Sequence, residues 1–550
     1  MTLISNGTIV DGKGTPAFIG DVYIEGDRIV DVGDHQPSAA NSQLQTVIEA
    51  TGAVVSPGFI DAHTHSDAYL VVEPDAPSKI SQGITTEVNG QCGGSVAPRY
   101  GEARLSSDWA AILGERLTWH SLAEYREALE AARPAVNTVQ FIGHNTLRSS
   151  VMGYAAREAT PDELKKMERL LEESLDEGGH GLTTGLIYQP GRYSTPEEVT
   201  ALARVAARKG GIYATHMRSE GDSILEAIDE VIELARATGI KAEISHLKTS
   251  GRANWGKIDA VIEKMEKGME EGLLLGSDRY PYCAAGTDLD VVLPDWAQEG
   301  AAKAECERLA DPAIRARIAE EINASARDWS TIMIGGTWHP DTKQYSGKTV
   351  AEILATMGSD PSVLATMGSD PSVSPAGSDP YGCPYGCPYG RPGELICHIL
   401  SLDGCKTGAF FFTMSEENLD RILALPWILP GSDASLRAPW GPLGADHPHP
   451  RAYGTMPEFY RRVRALGATR EEAISRMTSK VAGRFGLKGR GVIEKGAFAD
   501  IVVWDEGDFA AKATYLNPHR FSTGVRLAMV NGSIPYRDGV FTGNRSGRFI

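Results

Sequence analysis

Cysteine is scarce in this chain: seven among 550 residues, at positions 92, 283, 306, 383, 387, 397 and 405. So small and odd a set argues against a disulfide framework and points to a reducing compartment, so a cytoplasmic protein is expected. Positive charge is also in deficit, with 54 Lys and Arg against 72 Asp and Glu, a net charge of −18. No basic run interrupts that excess, which disfavours nucleic acid and anionic membrane surfaces as partners. No stretch approaches the roughly 18 consecutive apolar residues of a membrane span. The opening segment MTLISNGTIVDG lacks a basic region followed by a long apolar one, so no signal peptide is expected. Missing too are Gly-x-Gly-x-x-Gly and the complete Gly-x4-Gly-Lys-Ser/Thr loop, the usual signatures of dinucleotide and nucleotide binding.

What is present is length, and a core to go with it. The chain is 42% hydrophobic and 23% charged, enough for one large domain and a smaller companion. Short β-like runs occupy the N-terminus, at Leu3–Val10, Ile19–Ile24, Arg28–Val32 and Val47–Val55. Similar runs recur at Ala499–Trp504 and Val525–Val530, and Asn531–Gly532 before Ile534–Tyr536 reads as a hairpin turn. Between these ends, compact apolar runs alternate with helical patterns: Gly181–Ile187 then Pro196–Lys209, Gly211–His216 then Ser223–Thr238, Lys241–His246 then Trp255–Lys267. That alternation predicts a parallel sheet, and polar candidates just after the strands suit the mouth of a closed one. The expected fold is α/β: a metal-dependent (β/α)8 TIM-like barrel over 57–485, with a small β-sandwich built from 1–56 and 486–550.

One tract departs from this rhythm. LATMGSDPSV stands at 354–363 and again at 364–373, and YGCPYGCPYG follows at 381–390. Its density of Pro and Gly disfavours helix and sheet alike. The tract at 354–395 reads as an insertion, with 358–392 an irregular surface loop. Cys383 and Cys387 lack a His/Cys partner pair at zinc-finger spacing.

The chemistry begins at Pro57-Gly58-Phe59-Ile60-Asp61-Ala62-His63-Thr64-His65, an apolar run ending in His-x-His. Alternate positions on a strand share a face, so both imidazoles can converge at a barrel mouth. Cys92 follows the run Gly83–Val88, and His216, His246 and Asp433 each end a further apolar run. A soft thiolate, four imidazoles and a carboxylate together can hold one or two zinc ions. Such an ion acidifies water and polarises a carbonyl, and a carboxylate beside it can serve as a base, so the set is a hydrolytic one.

These residues carry a resemblance. PGFIDAHTHSD (57–67), SQGITTEVNGQCG (81–93), GHNTLR (143–148), GLTTGLIYQPGRYS (181–194), THMRSEG (215–221), EISHLKTSGRANWG (243–256), DRYPY (278–282), GSDASLRAPWGPLGADHPHPRAYGT (431–455) and RGVIEKGAFADIVVWD (490–505) resemble the D-aminoacylase family of the amidohydrolase superfamily. The likeness runs through the chain except for 354–395. It implies hydrolysis of the amide bond of an N-acyl-D-amino acid, a small-molecule substrate, to a carboxylate and a free D-amino acid. It implies Zn(2+) as cofactor, one ion held tightly by His216, His246 and Cys92, and a second, weaker position at His63 and His65 toward which Cys92 also reaches. Asp433 matches the essential aspartate of strand eight, which ligates metal, activates the attacking water and protonates the leaving nitrogen. Many amidohydrolases bridge their metals with a carboxylated lysine on strand four. Here that stretch is Thr183-Thr184-Gly185-Leu186, as in the branch where cysteine bridges.

The resemblance also places Lys248 with Tyr280 and Tyr282 at the substrate carboxylate. Arg148 and Arg437 are further candidates, His144 stands behind the ligands, and His447 and His449 shape the mouth. The Leu247-Lys248-Thr249-Ser250 context points to neutral or hydrophobic D-amino acids. The same metal kit also serves N-acyl-D-glutamate and N-acyl-D-aspartate deacylases, D-residue dipeptidases and cyclic amidohydrolases. A non-catalytic zinc scaffold is the alternative of another class, and it would be marked by a missing ligand. Monomer and small homo-oligomer are equally compatible with the sequence.

Overall fold

The structure is a computed structural model that describes residues 1–33, 45–105, 109, 112–357 and 391–550. Most of the tract 354–395, with Cys383 and Cys387, lies outside the described residues. At the N-terminus Thr2–Ile9 (β1), Phe18–Glu25 (β2) and Arg28–Gly33 (β3) pair antiparallel in turn. The apolar run 47–55 forms two strands rather than one, Thr46–Glu49 (β4) and Val54–Pro57 (β5), each parallel to a different half of β1. A turn at Thr51–Gly52, with Gly52 at φ +74°, separates them.

Next come the strands of a parallel barrel: Phe59–Asp61 (β6), Ile84–Asn89 (β7), Asn137–Gln140 (β8), Ile142–Gly143 (β9), Gly181–Gly185 (β10), Ile212–His216 (β11), Lys241–Ile244 (β12) and Leu275–Arg279 (β13). Nearly every residue in them is buried, as strands covered on both faces require. The intervening helices start where the sequence caps them. Thr160 and Glu163 form a reciprocal capping box ahead of Pro161–Asp176, and Thr195 caps Pro196–Arg208.

After β13 the chain enters a unit with its own core. Residues Cys283–Thr413, with Asp446–His449, form this second compact unit, inside the stretch that the sequence assigns wholly to the barrel. It holds Ala285–Asp288 (β14), Ile332–Ile334 (β15) and Gly408–Phe411 (β16), antiparallel in the order β14-β16-β15. Trp329, Ile334, Leu395, Ile399 and their neighbours fill its interior. Strand and helix lengths here mimic barrel units, so only the pairing direction distinguishes them, and pairing is not written in local composition.

Ile428–Pro430 (β17) then returns to the barrel and pairs with β13. Ala62 N donates to Pro430 O at 3.0 Å and Thr64 bridges Ala434, which joins the last strand to the first. Phe141 N donates to Asn89 O at 3.0 Å across the β8–β9 interruption. Counting β8 and β9 as one broken strand, the described residues supply the eight strands of a (β/α)8 barrel.

Ile501–Trp504 (β18), Val525–Val530 (β19), Ser533–Arg537 (β20) and Val540–Phe541 (β21) complete the sheet begun at the N-terminus, β18 lying antiparallel to β5. Asn531 and Gly532 turn β19 into β20 with φ of +45° and +80°, the two left-handed residues a type I′ hairpin needs. All nine strands belong to one mixed sheet, so the small domain does join both termini. Its β3 edge turns back onto the segment that leads into β18, where Ile29 N donates to Ala497 O at 2.9 Å. The expected sandwich is thus one sheet curled over a shared core of Ile4, Val22, Ile29, Val55, Ile501 and Leu527.

Candidate metal centre

Parallel strands deliver their C-terminal ends to one side of a barrel, and the residues just beyond them meet there. His63 and His65 lie two and four residues past β6, Cys92 three past β7, His246 two past β12 and Asp433 three past β17, while His216 ends β11. Convergence therefore comes from the turns more than from the strand face that His-x-His suggests. The ligand atoms of His63, His65, Cys92 and Asp433 all lie within 4.8 Å of one another, and so do those of Cys92, His216 and His246. Cys92 belongs to both groups.

The backbone is bent to achieve this. Cys92, His246 and Asp433 have φ of +53°, +39° and +48°. Left-handed backbone at a non-glycine residue costs about 1–2 kcal/mol and persists only where the surroundings fix it. Close approach helps fix Cys92. A Cβ on Gly185 would stand 2.1 Å from the Cys92 carbonyl oxygen.

Carboxylates stand behind two of the histidines. Asp278 Oδ2 lies 3.1 Å from His63 Nδ1, and Glu220 Oε1 lies 2.9 Å from His246 Nδ1. Each imidazole thereby turns Nε2 toward the Cys92 sulfur, 3.3 Å from both. Asp278 Oδ1 also accepts from His246 N at 3.0 Å, so one carboxylate spans two candidate ligands. Asp433 Oδ1 is 3.0 Å from His65 Nε2 and 3.4 Å from His63 Nε2, and its Oδ2 forms an ion pair with Arg451 Nη1 at 2.8 Å.

The charges respond to these neighbours. Burial pushes the Cys92 thiol up, but the charges of His63 and His246 outweigh it and hold the thiol well below its usual range. Burial likewise opposes ionisation of Asp433, and Arg451 with His246 overcomes it, leaving the carboxyl well below its usual range. Glu220 is held low against burial by His216, Lys248 and His246. His246 is pushed up to about 10, burial working against the combined carboxylates and thiolate. His216 is the exception to this web of pairs, because both its ring nitrogens are buried without a hydrogen-bond partner. Glu220 Oε2 stands 3.6 Å from its Nε2, too far for one. Thiolate, imidazoles and carboxylate around that orphaned ring fit a zinc ion, or two sharing the sulfur.

The structure sorts the remaining predicted residues. Lys248 Nζ pairs with Glu220 and lies 2.8 Å from His246 Nδ1, directly beside the centre. The ring of Tyr280 is buried among the cations of Arg279, Arg451 and Lys248, and lies 6.4 Å from the His246 ring. β13 ends at Arg279, before Pro281, and Tyr282 faces Gly454 instead. Arg148 is not brought to the cluster: it is buried in an ion pair with Glu198, which also lies 2.8 Å from His144 Nε2. Arg437 lies over the ring of Tyr69. His449 sits in the second unit, 3.0 Å from Ala284 O, and His447 packs there near Phe410. Sequence reasoning misses Glu220, and it leaves Asp278 and Arg451 without a role. All three are ordinary charged residues until their partners are known, although each lies inside one of the family-like motifs.

Comparison with known proteins gives a consistent picture. The model of the Amidohydrolase family matches residues 46–334 and 413–536. D-aminoacylase of Alcaligenes xylosoxydans xylosoxydans is 32% identical over all of this chain and 97% of its own. N-acyl-D-glutamate deacylase of the same organism is 33% identical over 96% of this chain and 92% of its own. The crystal structure of N-acyl-D-glutamate deacylase from Bordetella bronchiseptica, complexed with zinc and a phosphonate mimic of the tetrahedral intermediate, superposes with a TM-score of 0.78. It is 30% identical and covers 100% of this chain and 98% of its own.

Proposed function

Because the chain belongs to the amidohydrolase family, in the branch of D-aminoacylases and N-acyl-D-glutamate and N-acyl-D-aspartate deacylases, we propose that it hydrolyses the amide bond of N-acyl-D-amino acids. The observation that carries this reading is the double ligand cluster sharing Cys92, with Asp433 at its edge. His216, His246 and Cys92 would hold one zinc ion, and His63, His65, Cys92 and Asp433 a second, weaker one. When bound, the metal supplies Lewis acidity, which acidifies water and polarises the acyl carbonyl.

The protein's own groups do the rest. Asp433, kept ionised by Arg451 and His246, takes a proton from the water that attacks the acyl carbon. As the C–N bond breaks, Asp433 returns that proton to the departing nitrogen, so acid and base are one carboxyl. Arg451 orients the carboxyl through Oδ2 and leaves Oδ1 facing His63 and His65. Asp278 and Glu220 keep the imidazoles turned inward. Lys248, with Tyr280 nearby, receives the α-carboxylate of the substrate. Arg148, Arg437 and Tyr282 are packed elsewhere and take no part in this reading.

We read the preferred side chain as neutral or hydrophobic. The cations touching the cluster, Lys248 and Arg451, already face Glu220 and Asp433. The substrate's α-carboxylate adds a further demand on them, and an acidic side chain would add a second. A thiolate ligand suits a reducing compartment, in keeping with the cytoplasm. Among the described residues no helix is long and apolar enough to cross a membrane.

The test is an enantiomer-resolved panel of N-acetyl-amino acids, with hydantoins and dipeptides beside them, run on protein of measured zinc content. Turnover of N-acetyl-D-leucine or D-methionine, with none of the L forms, is the expected result. Preference for N-acetyl-D-glutamate would overturn the side-chain assignment. Turnover of only the cyclic amides would overturn the reaction.

A further inference from the structure

Beneath the metal cluster lies a fully buried charged network that the reaction does not use. Lys79, Asp61 and Glu87 are all 0% exposed. Lys79 sits in the short helical turn Pro77–Ile80 ahead of β7, Glu87 lies within β7, and Asp61 ends β6. A buried ammonium is expensive unless its donors are met. Here Nζ donates to Asp61 Oδ2 at 3.0 Å, Ser432 Oγ at 3.0 Å and Ala434 O at 2.9 Å, with Glu87 Oε1 at 3.2 Å. Two of those acceptors are the residues on either side of Asp433.

The clamp is reciprocal. Asp61 Oδ1 accepts from Ser432 N at 2.8 Å and faces His63 N at 3.4 Å. Asp433 N itself donates to His63 O at 2.8 Å. Glu87 Oε1 accepts from Ser66 Oγ at 2.7 Å, and the same hydroxyl accepts from Leu436 N at 2.9 Å. One cation therefore ties the ends of the first, second and eighth barrel strands into a unit. That unit carries His63, His65 and the left-handed backbone of Asp433.

We propose that Lys79 is a positioning residue: its buried ammonium, clasping Ser432 and Ala434 against Asp61 and Glu87, fixes the Asp433 turn and with it the His63–His65–Asp433 half of the centre. The inference rests on the metal-centre reading above. Lys79 acts through the residues flanking Asp433 rather than on a ligand side chain, so its effect is on where Asp433 stands. The His216–His246 half hangs from β11 and β12 and is coupled to the clamped half through Cys92 and Asp278 rather than through Lys79.

Lys79→Met alone strands two buried carboxylates and is prone to misfold. The test therefore combines Lys79→Met with Asp61→Asn and Glu87→Gln, which leaves the network uncharged. Ser432→Ala, which removes one acceptor and strands no charge, is the milder companion. Cobalt(II) is titrated into wild type and variants while visible absorption is followed, and kcat and KM are measured on the same samples.

In the triple variant the thiolate-to-cobalt band of the first equivalent should appear with wild-type affinity. The second equivalent should bind about 10–100-fold more weakly, the range found when groups supporting metal ligands are removed. The kcat should fall by a similar factor with KM little changed. Ser432→Ala should move cobalt binding and kcat in the same direction by less. A folded triple variant with lowered Tm but wild-type cobalt titration and kcat would reduce Lys79 to a structural residue and overturn the proposal. Wild type that binds no cobalt would overturn the metal-centre reading and this inference together. Wild type that binds cobalt but hydrolyses no N-acyl-D-amino acid would overturn only the proposed function, and the cobalt titration would still decide the role of Lys79.

Discussion

Asp433→Asn isolates the proton-transfer role from metal binding. The substitution keeps size and shape and removes the charge that Arg451 faces at 2.8 Å and His65 at 3.0 Å. A positioned acid–base group contributes about 10²–10⁴ in rate, which corresponds to about 3–5 kcal/mol of barrier. The expected fall in kcat is in that range. KM should stay within a few-fold, because Lys248 and Tyr280 are untouched. The Cys92–His216–His246 group excludes Asp433, so one equivalent of zinc should remain. Deleting one partner of a buried ion pair costs about 3–5 kcal/mol. The amide oxygen still faces Arg451, so the loss of stability should fall below that. Steady-state kinetics on an N-acetyl-D-amino acid, elemental analysis and calorimetry read the three effects separately. A folded, zinc-loaded variant with kcat within about fivefold of wild type would refute the assignment of Asp433 as the proton carrier.

Cys92→Ala removes the atom common to both ligand groups, so zinc content and turnover should vanish together; full zinc stoichiometry in the variant would contradict its role as ligand. Gly431 packs so tightly that an added Cβ would stand 2.6 Å from both His63 Cβ and Asp278 Oδ1. Gly431→Ala should therefore displace that pair and cut zinc affinity at least about tenfold, readable by competition with a chromogenic chelator. In the second unit, burial and the charge of Glu305 push Asp290 up to about 8, and burial pushes Glu305 to about 7. The folded unit then holds protons that the unfolded chain releases, so stability should decline as pH rises from about 4 to about 8. Asp290→Asn should flatten that slope in denaturation curves taken across the interval, and an unchanged slope would count against the pairing.

Much of the candidate centre is legible in the sequence because a parallel barrel obeys a local rule. His63, Cys92, His216, His246 and Asp433 each come just after a compact apolar run, and parallel runs deliver their ends to one rim. What sequence cannot show is what charged residues face. Glu220, Asp278 and Arg451 act through partners far away in the chain. Lys79, in PSKISQG, looks like any solvated lysine although it is buried. Arg148 looks like a substrate anchor and is spent on Glu198. The second unit escapes a sequence reading for a related reason, since antiparallel and parallel strands can share one composition. The Val47–Val55 run reads as one strand because a single glycine turn inside it carries little weight against the β-formers around it.

The long segment of the second unit, Cys283–Thr413, begins and ends beside one residue of the barrel. Arg279 Nη2 donates to Tyr282 O and contacts Met414 Sδ, each at 2.9 Å, one at the exit from the barrel and the other at the return. Segments that leave and re-enter a scaffold through a single clasp can change length without shifting the strands downstream, because added residues cost only a slowly growing closure entropy. The tandem LATMGSDPSV copies fall between those ends. An in-frame duplication in the gene could therefore arise and persist there, lengthening the chain while β17 and Asp433 keep their register in the barrel.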